Sequence, residues 1–393
     1  MSARALFALF LLLLVARGGT AQAPPRATGA VPVAPPMRDY RAVVVSESVD
    51  EVAVIRFGPS GAVVERTQPI GLSLIDPDGP HGVAVAPDGR HYFVSTAHGM
   101  PGGSLWKIDA RTGQPVSRAV LGPFPATAQV SPDGWYAWVV NFNLHGDMVA
   151  SSVSAVETGE MIEIARITTC TMPHGSRLNA DGTKHYSACM MDEELVEIDT
   201  RSFAVARHFF LTKGKEMGMT GAPPVRGVAS GAHAAHDMGG HGMEPPKPGD
   251  VGCSPTWAQP SVDGARVWVA CNKSSELVEI DVASWSLVRR LPAGDGIYNL
   301  AVTHDGTRVI ATNKRGQSVS VFDATSGKEL ARIATSKRVV HGVAVTEDDR
   351  YAFVTNEGVG SEKATVDVID LRSLARVATV EVGQQAGGID ILR

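Results

Sequence analysis

The chain has 393 residues, 36 Lys and Arg against 41 Asp and Glu, a net charge of −5 and only 20% charged residues. No stretch interleaves basic with aromatic residues, so the electrostatic footprint of a nucleic-acid binder is missing. Four cysteines, 41 glycines and 24 prolines describe a turn-rich chain with few, placed thiols.

Residues 1–23 read as a cleavable secretory signal: charge at Arg4, an apolar run from Ala5 to Val15, and the small-residue site Ala21-Gln22-Ala23. That run is too short to span a bilayer, and no later stretch is long and apolar enough for an integral membrane segment. A periplasmic or secreted monomer is expected. Residues 24–39 form a Pro/Ala-rich leader with no chemistry of its own.

From Tyr40 to Arg393 the chain alternates short β-branched or aromatic runs with Asp-Gly and Gly-Pro turns, and helical periodicity is absent. The unit Pro80-His81-Gly82-Val83-Ala84-Val85-Ala86-Pro87-Asp88-Gly89 recurs at intervals of about 45 residues. Seven runs align on Val85, Val130, Leu178, Pro260, Val302, Val345 and Ile391. Four short antiparallel strands per unit predict an all-β, seven-bladed β-propeller. Residues 387–392 supply a first strand with no blade after it, and residues 41–71 supply three strands without a first. The C-terminal strand is therefore expected to complete the N-terminal blade and close the ring, which removes the open sheet edges.

One interval is nearly double, and it contains residues 212–252, a His/Met-rich insertion with no strand pattern. Three of its histidines and two of its methionines crowd into His233, His236, Met238, His241 and Met243.

The aspartates recur too regularly to be catalytic. Asp88, Asp133, Asp181, Asp263, Asp305 and Asp348 hold one turn position, and Asp109, Asp199, Asp281, Asp323 and Asp370, with Glu157, hold another. Cys189 and Cys271 end second strands, while Cys170 and Cys253 precede first strands. This placement favours two equivalent disulfides, Cys170 with Cys189 and Cys253 with Cys271, in an oxidising compartment. The competing reading makes Cys189, beside Met190 and Met191, a soft metal ligand.

The segments PHGVAVAPDGRHYFVSTAHG, YNLAVTHDGTRVIATNKRG and HGVAVTEDDRYAFVTNEG resemble YVTN-type β-propeller repeats over nearly all of the mature chain. The resemblance implies the propeller and leaves the activity open.

Four residues before each alignment point stand His81, Ala126, His174, Thr256, Tyr298, His341 and Gly387. In a propeller this turn and the turn after the second strand share the face around the channel mouth. His81, His174 and His341 are thus candidate ligands of a transition metal, or histidines that merely begin a turn. His98, His145, Met190, Met191 and the insertion residues would be accessory ligands, and thioether sulfur tilts the metal toward copper. Tyr298 is the candidate catalytic residue. An exported oxidoreductase or metal-handling protein, working with an exported redox or metal-delivery partner, is the expected function. The alternatives are a metal-free propeller scaffold for a protein or other ligand, and a hydrolase or lyase using His and Tyr as acid and base.

Overall fold

The computed structural model describes residues 35–73, 75–98, 102–223 and 252–393. The proposed signal (1–23), most of the leader and the five insertion ligands from His233 to Met243 lie outside the described residues. Among those residues the strands form seven antiparallel sheets, so the chain is a seven-bladed β-propeller.

Each blade is a meander whose first strand lies innermost. The inner strands of blades two to seven are Pro80–Val85, Pro125–Val130, Pro173–Leu178, Pro255–Pro260, Ile297–Val302 and Val340–Val345. Each ends at the residue on which the repeats align. Blade one takes its inner strand, Ala386–Leu392, from the other end of the sequence, where it pairs with Tyr40–Ser46 through Ala42↔Ile391 and Val44↔Ile389. Alternate residues on each strand face the two neighbouring blades. The core is accordingly divided among inter-blade layers, such as Val43, Val54, Val83, Val94 and Ile108 between blades one and two.

The repeated turns have the structural duty expected of them. The carboxylates of Asp88, Asp133, Asp181, Asp263, Asp305 and Asp348 each accept a backbone N–H two residues on. Those of Asp109, Glu157, Asp199, Asp281, Asp323 and Asp370 accept one three residues on. Both sets satisfy donors that a tight turn strands.

Both disulfides form as spaced, Cys170–Cys189 and Cys253–Cys271. Cys189 is therefore not a thiolate ligand, and the bridges fit an oxidising location. No helix among the described residues is long and apolar enough to cross a membrane.

One expectation needs correction. Residues 212–252 contain a strand, Met217–Thr220, which pairs with Ala204–Phe210 as a fifth strand of blade four. Gly218 permits it, because a Cβ there would lie 2.3 Å from the Trp285 carbonyl oxygen of blade five.

Candidate functional site at the channel mouth

The Pro-His-Gly turn separates a structural requirement from a chemical one. A Cβ on Gly82 would stand 2.0 Å from the Ala126 carbonyl oxygen, and one on Gly175 would stand 2.3 Å from the Thr256 carbonyl oxygen. In blades two and four the neighbouring inner strand approaches that closely, so glycine is required at Gly82 and Gly175, whereas blades three, five and six carry Thr127, Trp257 and Asn299 at the equivalent position. The residue before it varies as well, the seven blades using His, Ala, Thr, Tyr and Gly. Two residues before that position the backbone is left-handed in every blade, at Gly79, Phe124, Met172, Ser254, Gly296, Val339 and Gln385.

Hydroxyl groups then clamp the backbones of the candidates. Thr127 Oγ1 donates to His174 O, Thr256 Oγ1 to Tyr298 O, and Thr312 Oγ1 to His341 O. Four rings form a belt around the mouth. Centroid separations are 6.2 Å for His81–His174, 5.3 Å for His174–Tyr298, 4.9 Å for Tyr298–His341 and 5.6 Å for His341–His81. All four side chains are buried.

Hydrogen bonds fix the tautomers of two of these imidazoles. His81 Nδ1 lies 3.0 Å from Glu47 Oε2, so it carries the proton, and the buried Nε2 makes no hydrogen bond among the described residues. His174 Nδ1 donates to Thr256 O at 3.0 Å, and its Nε2 accepts from the Tyr298 hydroxyl at 3.0 Å. His341 Nε2 stands 3.9 Å from Glu357 Oε1.

A second ring of residues follows the second strand of each blade: Glu47, Ala97, Phe142, Met190, Asn272, Lys314 and Glu357, all buried. The charges fall on blades six, seven and one. Lys314 Nζ pairs with Glu357 Oε1 at 3.0 Å and sits 4.2 Å over the Tyr298 ring. Glu47 bridges His81 and His98, reaching His98 Nε2 at 2.9 Å. Blades two to four are apolar, where Ala97, Phe124, Ala126, Phe142, Met172 and Met190 pack together.

These contacts shift the protonation of the cluster. Burial alone would raise the Glu47 carboxyl, but His81 and His98 outweigh it and hold Glu47 well below the usual carboxylate range. The hydrogen bond to Glu47 raises His98 against the effect of burial. His145, whose ring lies 5.0 Å from that of His98, is lowered by desolvation and then by His98. Burial raises Tyr298 and would lower Lys314, but Glu357 and Tyr298 carry Lys314 upward. Many ionisable groups are thus taken out of water in one place, an arrangement by which active sites tune protonation.

Of the predicted residues, the fold gathers His81, His174, His341 and Tyr298 in one belt, with His98 and His145 on its rim and Met190 in its apolar wall. Met191 is 47% exposed and is not part of that wall. His185, in the second strand of blade four, is fully buried and stacks on Trp138. Glu47, Lys314 and Glu357 escaped sequence reasoning. The repeat alignment that placed Met190 also places these three, one residue after each second strand. Among the described residues, no group of three or more His, Cys, Asp or Glu side chains stands close enough to hold a metal ion as now arranged.

No family model and no curated protein matches the chain. Solved structures do. Hydrazine synthase from Kuenenia stuttgartiensis is similar with a TM-score of 0.60 at 19% identity, over 82% of this chain and 93% of that one. A functionally unknown protein from Desulfotomaculum acetoxidans is similar with a TM-score of 0.62 at 13% identity, over 90% and 99%. At such identities the likeness is one of fold, and it agrees with the seven-bladed ring described here.

Proposed function

We propose that this is an exported propeller, built of YVTN-type repeats, that binds a transition metal at its channel mouth through His81, His174 and His341. The carrying observation is His81: a carboxylate fixes Nδ1–H while Nε2 is buried without a hydrogen-bond partner among the described residues. A carboxylate–histidine pair of this kind orients metal-ligating imidazoles and raises their basicity. Three imidazoles bound to one ion through bonds of about 2 Å hold their centroids roughly 5–5.5 Å apart. The two separations from His81, 5.6 and 6.2 Å, need only modest side-chain rotation to reach that range. His174 would exchange its bond to Tyr298 for the ion. The released phenol, held protonated by burial, would then donate to whatever occupies the remaining coordination position.

Met172 and Met190 in the adjoining wall favour copper among the metals that imidazole accepts. Bound there, copper would supply one-electron chemistry, and the protein would work as a periplasmic or secreted oxidoreductase or metal handler with an exported redox or delivery partner. Equilibrium dialysis of untagged protein against copper tests this. Wild type should retain about one equivalent, and His81→Ala or His174→Ala should weaken retention at least about 10-fold. Equal retention by all three proteins would refute the belt as the site.

One observation favours a second reading, a metal-free binding scaffold. The ring that follows the second strands is apolar over blades two to four, at Ala97, Phe142 and Met190, and charged over blades six, seven and one, a division suited to an amphipathic ligand. Such a protein would hold no copper under dialysis.

A further inference from the structure

One residue before each alignment point, the seven inner strands carry Ala84, Gln129, Arg177, Gln259, Ala301, Ala344 and Asp390. At a strand rise of about 3.3 Å per residue, this level lies roughly 10 Å along the channel from the histidine belt. Two of these side chains have a structural task. Gln129 Oε1 accepts the N–H of Leu178, and Asp390 Oδ2 accepts that of Val85. Each residue thereby caps an inner-edge donor of the next blade that no strand can reach. Asp390 Oδ1 is engaged as well, by the N–H of Ile391.

Arg177 has no such task. Its guanidinium carries five N–H donors, yet among the described residues it makes one hydrogen bond, Nη1 to Ser176 O at 2.9 Å. It lies 4.5 Å over the Trp257 ring of blade five, a cation–π contact that uses none of its donors. No carboxylate reaches it within ion-pair distance among the described residues. Asp390, three blades away around the ring, is felt only at longer range. Arg177 is half-buried although its strand is innermost, so its remaining exposure opens on the channel. Next to it, the Gln129 carboxamide is anchored through its oxygen, and its Nε2 donors have no partner among the described residues.

We propose that Arg177, flanked by the Gln129 amide, binds a small oxyanion inside the channel, a carboxylate or an inorganic oxyanion. The planar fork of the guanidinium matches two oxygens of such a group, and stacking on Trp257 holds it ready for that contact. Desolvation, which pushes Arg177 down to about 10, leaves it charged at neutral pH and raises the value of an incoming negative charge. Asp390 opposes the anion, so the two residues have opposite effects on the same ligand. The site is independent of any metal at the mouth.

Calorimetric titration of the full chain with acetate and, separately, inorganic sulfate tests the proposal, and the better probe indicates whether the ligand is organic or inorganic. One equivalent should bind to wild type. Arg177→Met should weaken binding at least about 10-fold, Arg177→Lys should fall between, and Asp390→Asn should tighten binding several-fold by removing the opposing charge. Absence of binding by either probe, or equal binding by Arg177→Met, would overturn the assignment. Should Arg177→Met fail to fold, Asp390→Asn decides the matter, because unchanged affinity in that variant also overturns it.

Discussion

Glu47 is the residue on which the mouth depends most. It joins blade one to two histidines of blade two while buried, and its ionised form is stabilised by them. The signs of the two shifts define a pH window. A carboxyl lowered in the folded state stabilises above its unfolded value of about 4.3 and loses that contribution as pH falls through the folded value. His98, raised in the folded state, stabilises fully below about 6.5 and loses its contribution as pH rises through its folded value. The Glu47–His98 pair therefore contributes most between about pH 4.3 and 6.5. Glu47→Gln should lower stability by about 2 kcal/mol near pH 6, with a smaller difference near pH 8. Thermal melts of both proteins across that range check it; a difference that does not vary with pH would sink the account.

Among the elements, blade four's entry turn binds fold to site. The Cys170–Cys189 bridge closes a loop that contains Met172-Pro173-His174, and Asp192, in the turn after the second strand, accepts the N–H of Thr171. A bridge over a separation of 19 residues restrains the unfolded chain by about 3 kcal/mol. Cys170→Ser/Cys189→Ser should lose about that much in denaturant unfolding and should weaken copper retention along with it. Loss of stability with undiminished retention would separate the turn from the site. The strand Met217–Thr220 shows where local reading stops. Four residues with a glycine among them carry too little alternation to announce a strand, and only the ladder to Ala204–Phe210 and the face of Trp285 make it one.

Ring closure is the governing feature of the whole molecule. Ala386–Leu392 supplies blade one's inner strand and contacts blades two and seven together. A chain ending at residue 384 would leave the edge of Tyr40–Ser46 unpaired and uncover Ala42, Val44 and Ala344, which Ile389 and Ile391 cover in the full ring. It should melt at least about 10 °C lower and self-associate, as calorimetry and light scattering would show. A truncated protein that melts like wild type and stays monomeric would mean the ring does not need that strand.

This closure was legible before the structure, because repeated turn chemistry gives both blade count and register. His81, His174, His341 and Tyr298 were legible for the same reason, being equivalent positions of one turn. Glu47, Lys314 and Glu357 were equally aligned, but imidazole and thioether are the conspicuous metal ligands, and these drew attention to His98, one residue further on in its blade, and His145, three further on. The pairing of Glu47 with blade two is not local to any repeat, and only the closed ring brings it there. The unused donors of Arg177 likewise appear only when the neighbouring blade is present.

In the proposed function the mouth holds a metal on three imidazoles of the belt. X-ray absorption at the copper edge, on copper-loaded protein lacking residues 230–245, tests it most directly because the insertion's own ligands are then gone. About three nitrogen scatterers near 2 Å with the outer-shell pattern of imidazole, lost in His174→Ala, is the predicted result. Copper that washes out of the shortened protein, or a spectrum unaltered by His174→Ala, would contradict it.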